Sequence, residues 1–193
     1  MLNTQFLRSQ RGTSLIEILV TMVILSFGLL GIAVFHVKAQ VASLESYQRA
    51  QAVILLEDIH ARMSATPLQA TLYKTSGTAT IGTGEPDENC AGKAIGAARD
   101  RCEWGTALRG ASETKAAGTK VGAMIGARGC IEELQVPIYT GSGCRQGIYQ
   151  VTVVWQGLHE TRAPSQTCGK DLYGTETFRR ALSTRVVVAV PNC

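Results

Sequence analysis

Few side chains in this 193-residue sequence combine a reactive or charged group with a sequence context that suggests a functional role. Glu17 is one, because it is the only charged residue between Leu15 and Phe35 in a long apolar run. Six cysteines form a second group, and all follow that run: Cys90, Cys102, Cys130, Cys144, Cys168 and Cys193. The three histidines are scattered, without a second ligand at metal spacing or a recognisable catalytic partner. We therefore expect no enzymatic activity, no catalytic residue, no cofactor and no metal site.

The carboxylate of Glu17 needs a partner, because a charge inside a membrane segment costs about 2.5 to 3.5 kcal/mol on insertion scales. One explanation is a capping box, since Ser14 and Glu17 have the spacing of a helix N-cap and its reciprocal acid. The other is cleavage after Gly12, which makes Thr13 a positively charged N-terminus with Glu17 as its counter-charge. Thr13 and Glu17 are spaced i, i+4 on one helix face, so the pair could close within one molecule or between neighbours.

The apolar run predicts a membrane-spanning helix. About 21 residues from Leu15 to Phe35, at about 1.5 Å rise each, match a hydrocarbon core roughly 30 Å thick. Arg8 and Arg11 precede the run, which favours a cytoplasmic N-terminus and places the rest of the chain outside. The helix is expected to continue to about Ser64, because Pro67 disfavours helix in the residue before it.

The second half of this helix has an apolar stripe at three- and four-residue steps, which predicts packing against a sheet. The alternative is packing against neighbouring helices, and both could hold on different sides of the helix. The residues of the stripe are Val37, Val41, Leu44, Tyr47, Leu55, Ile59 and Met63. Beyond it we expect a long surface connection over residues 68–89 and a short helix from Cys102 that buries Trp104 and Leu108. Strands are expected near residues 129–136, 149–156 and 182–190, with the last two paired antiparallel.

The even number of cysteines predicts disulfides, and hence an oxidising compartment such as the periplasm. Six cysteines allow fifteen pairings, and we expect the sequential one because each bridge then closes a short loop. That pairing is Cys90 with Cys102, Cys130 with Cys144, and Cys168 with Cys193. The formal charge of +4 falls to +2 without residues 1–12, which hold two arginines and no acid. This charge gives no basis for binding nucleic acid.

The N-terminal residues resemble the type IV prepilin signal: a short basic leader, a Gly at its end, an N-methylated residue, Glu at the fifth mature position and an apolar helix. Here the leader is residues 1–12 with Arg8 and Arg11, cleavage falls between Gly12 and Thr13, and Glu17 is the fifth-position acid. The resemblance implies N-methylation of Thr13 and an assembly salt bridge at Glu17. Thr13 is a departure, since the family usually has Phe or Met there.

The rest of the chain is similar to type IV pilins and pseudopilins, and three stretches resemble the minor pilin family PilV, also called type IV pilus modification proteins. These stretches are Ala127 to Glu132, Tyr149 to Gly157 and Arg179 to Val188. The implied fold is α+β: a long N-terminal helix packed on a small antiparallel sheet and closed by disulfides. The implied domains are a leader (1–12), a transmembrane half-helix (13–35), an amphipathic half-helix (36–66) and a periplasmic head (67–193).

The resemblance further implies a structural role in starting type IV pilus assembly, at or near the pilus tip. The implied partners are prepilin peptidase, other minor pilins and the major pilin, the pilus assembly platform and a tip adhesin. The subunit would reside in the bacterial inner membrane, N-terminus in the cytoplasm and head in the periplasm, before entering the fibre. Two alternatives stay open: a minor pseudopilin of a type II secretion system, and a signal-anchored periplasmic binding domain.

Overall fold

The computed structural model describes residues 14–86, 88–111, 114, 122, 124–140 and 143–190. Two α-helices are present in this part of the chain: α1 (Leu15–Ala65) and α2 (Ala97–Leu108). Four strands follow the order β1 (Ile81–Gly82), β2 (Ile125–Gln135), β3 (Gly147–Gln156) and β4 (Arg179–Val188). Short 3-10 helices lie at Pro67–Tyr73, Cys90–Gly92 and Glu176–Phe178. By its contacts the chain divides into two compact units, Met1–Ser43 and Leu44–Cys193.

Helix α1 is continuous over 51 residues, which confirms the long helix that the sequence predicts. Its first turn is closed by the carbonyl of Ser14, which accepts the N–H of Glu17 at 2.9 Å and of Ile18 at 3.3 Å. Ser14 therefore occupies the N-cap position. The helix ends at Ala65, two residues before Pro67.

The four strands form one antiparallel sheet in the order β1-β2-β3-β4. Strand β3 pairs with β4 along its whole length, with Val153 opposite Leu182, and this confirms the predicted pairing. On its other side β3 pairs with β2, with Ile131 opposite Val151. The two-residue strand β1 covers only the middle of β2, where Ile81 faces Gly129.

One hydrophobic core joins the last part of α1, helix α2 and one face of the sheet. The sheet contributes alternate residues, because successive side chains of a strand point to opposite faces. The buried members from the strands are Ile81, Ala127, Ile131, Tyr149, Val151, Val153, Trp155, Val186 and Val188. From α2 come Trp104 and Leu108, which are 0% and 2% exposed. Both were predicted to be buried, and both are.

The face of α1 that enters this core differs from the predicted stripe. The buried residues are Gln48, Ala52, Leu56, Ile59 and Met63. Val37, Leu44 and Tyr47 are 61%, 54% and 45% exposed, so for them the prediction of core packing is wrong. The buried face runs through Gln48, Ala52 and Leu56, which lie beside the predicted stripe on the helix surface.

The opposite face of the sheet carries a second, smaller cluster of Val154, Cys168 and Tyr173, with Cys130 packed against it. Cys130 is bonded to Cys168, so the expected pairings of Cys130 with Cys144 and of Cys168 with Cys193 are wrong. The reason is that the segment after β3 folds back over this face of the sheet and brings Cys168 onto the middle of β2. The expected Cys90–Cys102 disulfide is present, Cys144 is also disulfide-bonded, and Cys193 lies outside the described residues.

The architecture is thus the predicted α+β, pilin-like one. A long N-terminal helix packs against a small antiparallel sheet, and disulfides close the head.

Candidate assembly site

The apolar run lies in the first unit, where the large hydrophobic side chains of α1 are exposed. Leu15, Ile16 and Phe27 are 88%, 68% and 72% exposed. Helix α1 is long and apolar enough to cross a membrane, and none of its most apolar stretch is buried in the protein. Such a surface is stable only against lipid or against other apolar helices. Helix α1 is therefore a candidate membrane anchor.

The hydroxyl groups within the run are satisfied by the helix itself. Thr21 Oγ1 donates to the carbonyl of Ile18 at 2.8 Å, and Ser26 Oγ donates to that of Met22 at 2.7 Å. In lipid every polar group needs such an internal partner. A Cβ atom added at Gly28 or Gly31 would meet no other atom within 4 Å. The helix surface at both glycines is therefore free of neighbouring side chains.

Glu17 differs from these residues because its carboxylate has no hydrogen bond or ion pair with any described residue. It lies in the first turn of α1 and is exposed. A carboxylate there is favoured by the helix dipole, which contributes about 0.3 to 1 kcal/mol at an exposed N-terminus. That contribution is smaller than the cost of a charge at the centre of a membrane-spanning helix. Gly12 and Thr13, the predicted cleavage and methylation positions, lie outside the described residues.

Arg62 connects α1 to α2 inside the head. Its guanidinium bonds Asp58 at 3.0 Å on its own helix, and Asp100 and Glu103 on α2 at 3.2 and 2.6 Å. Burial lowers the pKa of Arg62, but its hydrogen bonds to Glu103 and Asp58 outweigh burial and raise the pKa. The net result is a permanently charged centre.

Tyr73 extends this network from the 3-10 helix after α1. Its hydroxyl bonds the Asp100 carboxylate and lies 2.7 Å from Thr66 Oγ1. Burial and the bond to Asp100 both raise the pKa of Tyr73. The neutral phenol thus connects the 3-10 helix to Asp100 of α2 and to Thr66, just after the end of α1.

Glu45 fixes the segment after β3 to α1. Its Oε1 accepts hydrogen bonds from Arg180 at 3.2 Å and from the backbone N–H of Leu158 at 3.0 Å, and lies 2.9 Å from His159 Nδ1. Arg180 also donates to the carbonyl of His159. One carboxylate of α1 thus holds a loop and the start of β4 together.

Arg179 holds the segment that covers the outer face of the sheet. The side chain is buried, bonds Glu176 at 2.5 and 2.8 Å, and donates to the carbonyls of Gln166 and Cys168. The guanidinium lowers the pKa of Glu176. A buried charge without these partners would cost several kcal/mol, so the network is obligatory for the segment.

Tyr173 secures the same segment to the sheet. Its hydroxyl donates to the carbonyl of Gly126 at 2.7 Å and lies 3.3 Å from the carbonyl of Val154. Burial raises the pKa of Tyr173 to about 12.

A polar cleft of about 520 Å³ lies on the outer face, beside the Cys130–Cys168 disulfide. Glu132, Gln150 and Thr152 form part of its wall, and Ser165, Gln166 and Thr167 form another part. Within the described ranges, no group of three His, Cys, Asp or Glu side chains is placed to hold a metal ion.

Sequence reasoning missed the networks around Arg62, Glu45 and Arg179. The i, i+4 spacing of Asp58 and Arg62 was a usable signal for the first. Glu45 and Arg180 are 135 positions apart, and no local pattern connects them.

The comparisons with known proteins concern the N-terminal segment. Residues 7–33 match the model of the prokaryotic N-terminal methylation motif. Comparison with curated proteins and with solved structures finds no match for the chain. The matched residues include Arg8, Arg11, Gly12, Thr13 and Glu17 and continue into the apolar part of α1. The motif indicates a type IV pilin- or pseudopilin-type protein that prepilin peptidase processes, and this class of protein is structural rather than enzymatic.

Proposed function

We propose that this protein is a minor pilin of the PilV kind, which helps to initiate type IV pilus assembly and is incorporated at or near the pilus tip. One observation carries the proposal: the methylation motif opens a single 51-residue helix whose last turns form the core of a disulfide-closed sheet domain. Such a subunit has one surface for lipid or other helices and a separate folded head.

The chemistry of assembly follows from the exposed helix. Packing helices in parallel replaces lipid with protein around the apolar residues, so these residues favour assembly without setting the height at which a subunit docks. Glu17 sets the height, because its charge is satisfied only where an N-terminal ammonium is presented. Prepilin peptidase creates that ammonium at Thr13 by cutting after Gly12, and the pairing subunit is a minor pilin or the major pilin.

The assembly role also determines where the protein resides in the cell. Before assembly the protein spans the inner membrane once, with its N-terminus in the cytoplasm and its head in the periplasm. The disulfide Cys90–Cys102 and the disulfide Cys130–Cys168 support an oxidising compartment for the head. The assembly platform and a tip adhesin are the further partners that this role requires.

Purification of the tagged full-length chain from its native host tests the proposal. We expect major pilin and other minor pilins to co-purify with it, and we expect the chain in sheared pilus fractions. Co-purification with a type II secretion pseudopilus instead would assign the protein to that system and not to a pilus. Recovery of the chain alone in the inner membrane would contradict both and would favour a signal-anchored binding domain.

A further inference from the structure

Strand β4 forms an edge of the sheet. In the described part of the chain it pairs only with β3, through all ten residues from Arg179 opposite Gln156 to Val188 opposite Gly147. The register is unbroken, whereas the β2–β3 pairing has two irregularities. β4 is therefore a long and regular edge strand.

The hydrogen bonds of β2 show which backbone groups of β4 point outward. Ile131 bonds Thr75, with its carbonyl accepting the Thr75 N–H at 2.8 Å and its N–H donating to Thr75 Oγ1 at 3.1 Å. In an antiparallel sheet, the residue opposite Ile131 then also points its backbone away from β2. That residue is Val151, which therefore bonds across to Thr184 of β4.

The direction of the other backbone N–H and C=O groups of β4 follows from the alternation of residues along the strand. Since Thr184 directs its N–H and C=O toward β3, its neighbours in the strand direct theirs away from the sheet. These outward residues are Ala181, Ser183, Arg185 and Val187. None of them has a backbone hydrogen bond to a described residue outside the strand ladder.

In the part of the chain that the structure describes, β4 has few of the features that protect an edge strand. Such strands commonly carry Lys, Pro or a bulge that blocks pairing with other chains. β4 has no Lys and no Pro, and its first two arginines are occupied by Glu176 and Glu45. Arg185 is exposed and has no ion pair with a described residue, and Val187 beside it is 49% exposed.

We propose that the β4 edge binds an extended segment of a partner protein that places an acidic side chain opposite Arg185. The outward backbone groups supply the hydrogen bonds of an added strand, and the alternate side chains supply the selectivity. Arg185 selects the charge, because opposite charges on directly facing residues stabilise a strand pair and like charges destabilise it.

A second copy of this chain fits the edge poorly. β4 contains no Asp or Glu. Antiparallel pairing of two β4 strands about a twofold axis would place Arg185 opposite an uncharged residue or opposite an arginine of the other copy, depending on the register. The first gives no charge pair and the second gives a repulsive one. The partner is therefore a different chain with an acidic strand.

Hydrogen exchange of single amides in the full-length protein in detergent micelles tests the proposal. The probe is a synthetic nine-residue peptide of alternating Val and Thr with a central Glu, and its matched control has a central Lys. We expect the Glu peptide to slow exchange of the Ser183, Arg185 and Val187 amides, while the Thr184 and Val186 amides are slow from the start. The Lys peptide should bind about fivefold more weakly. A Glu peptide N-methylated at alternate amides should not bind.

Charge reversal identifies the residue that selects the partner. Arg185→Glu should invert the preference between the Glu and Lys peptides, while Arg162→Glu, the same change on an exposed loop, should leave it intact. Equal binding of the two peptides, or slow exchange of the odd-numbered amides before any peptide is added, would overturn the proposal. Protection that grows with protein concentration alone would make a second copy the occupant and would also overturn it. The proposal is independent of pilus assembly, so each can fail without the other.

Discussion

Glu17 is the residue on which the assembly account depends. Its carboxylate lies in the first turn of α1, at the start of an apolar surface, and no described residue neutralises it. Thr21 and Ser26, the other polar side chains nearby, bond to their own helix and need nothing from outside. The difference between satisfied hydroxyls and an unsatisfied charge singles out Glu17 as the group that requires a partner.

We expect Glu17→Ala to leave cleavage intact and to lower incorporation of the subunit into the filament or priming complex by about tenfold or more. Loss of one member of a desolvated charge pair typically costs about 2 to 5 kcal/mol, which exceeds a factor of ten. Immunoblots of sheared pili against membranes measure the ratio. Thr21→Val is the matched control, because it removes only a hydrogen bond within the helix. Normal piliation in the Glu17 variant would disprove the role of Glu17 in register.

Tyr173 gives the head a defined sensitivity to alkali. Burial raises its pKa from 10.0 to about 12, so the folded state holds the phenol proton more tightly than the unfolded chain does. The stabilisation is complete below pH 10 and is lost as the pH rises toward 12, by up to about 1.4 kcal/mol per pH unit. Denaturant unfolding at pH 9, 10 and 11 measures it. Tyr173→Phe should show a shallower decline over this range, and an unchanged slope would contradict the assignment.

At the scale of elements, the sequence predicts those parts that depend on local pattern. The length of α1 follows from the apolar run, the amphipathic half and Pro67. Strands β3 and β4 follow from alternation of apolar and polar residues. The buried face of α1 does not follow from local pattern. Gln48 and Ala52 are buried in the core, whereas Leu44 and Tyr47, which the pattern favours, are exposed. That choice depends on the shape of the sheet, which no helix pattern contains.

The disulfides illustrate the same limit. Cys90 and Cys102 are near in sequence and are joined by α2 and the turn before it, so the short-loop argument identifies them. Cys130 and Cys168 are 38 positions apart and meet because Arg179 and Tyr173 hold the intervening segment on the outer face. A contact between residues so far apart leaves no periodic pattern in the sequence from which the pairing could be predicted.

Removing the two described disulfides separately should rank them by loop length. In the chain-entropy model the loop closed by Cys130–Cys168 contributes about 4 kcal/mol and the one closed by Cys90–Cys102 about 3 kcal/mol. We expect the double variant Cys130→Ala, Cys168→Ala to lose more free energy of unfolding than Cys90→Ala, Cys102→Ala does, by denaturant titration. The reverse order would indicate that the outer-face segment is held by Arg179 and Tyr173 without the bridge.

At the scale of the whole molecule, α1 serves two environments. Its first part exposes apolar side chains and its last turns are buried in the head. The head is fixed to those last turns by charge as well as by packing, through Arg62 to α2 and through Glu45 to β4. Trp104 adds a hydrogen bond from Nε1 to the carbonyl of Leu55 at 2.9 Å, and its ring fits against β2 because Gly129 has no side chain.

The function class was predictable from the sequence because the N-terminal signal is local: Gly12, Glu17, the basic leader and the apolar run are contiguous, and residues 7–33 match the methylation motif. The partners of the head were not predictable, since the edge of β4 exists only once the strand order is known.

Mass spectrometry of the intact protein from native membranes tests the central claim most directly. We predict a mature chain that begins at Thr13, lacks residues 1–12 and carries one N-methyl group on Thr13. A chain that still begins at Met1 would contradict the account, because the cleavage between Gly12 and Thr13 that creates the N-terminal ammonium would not have occurred.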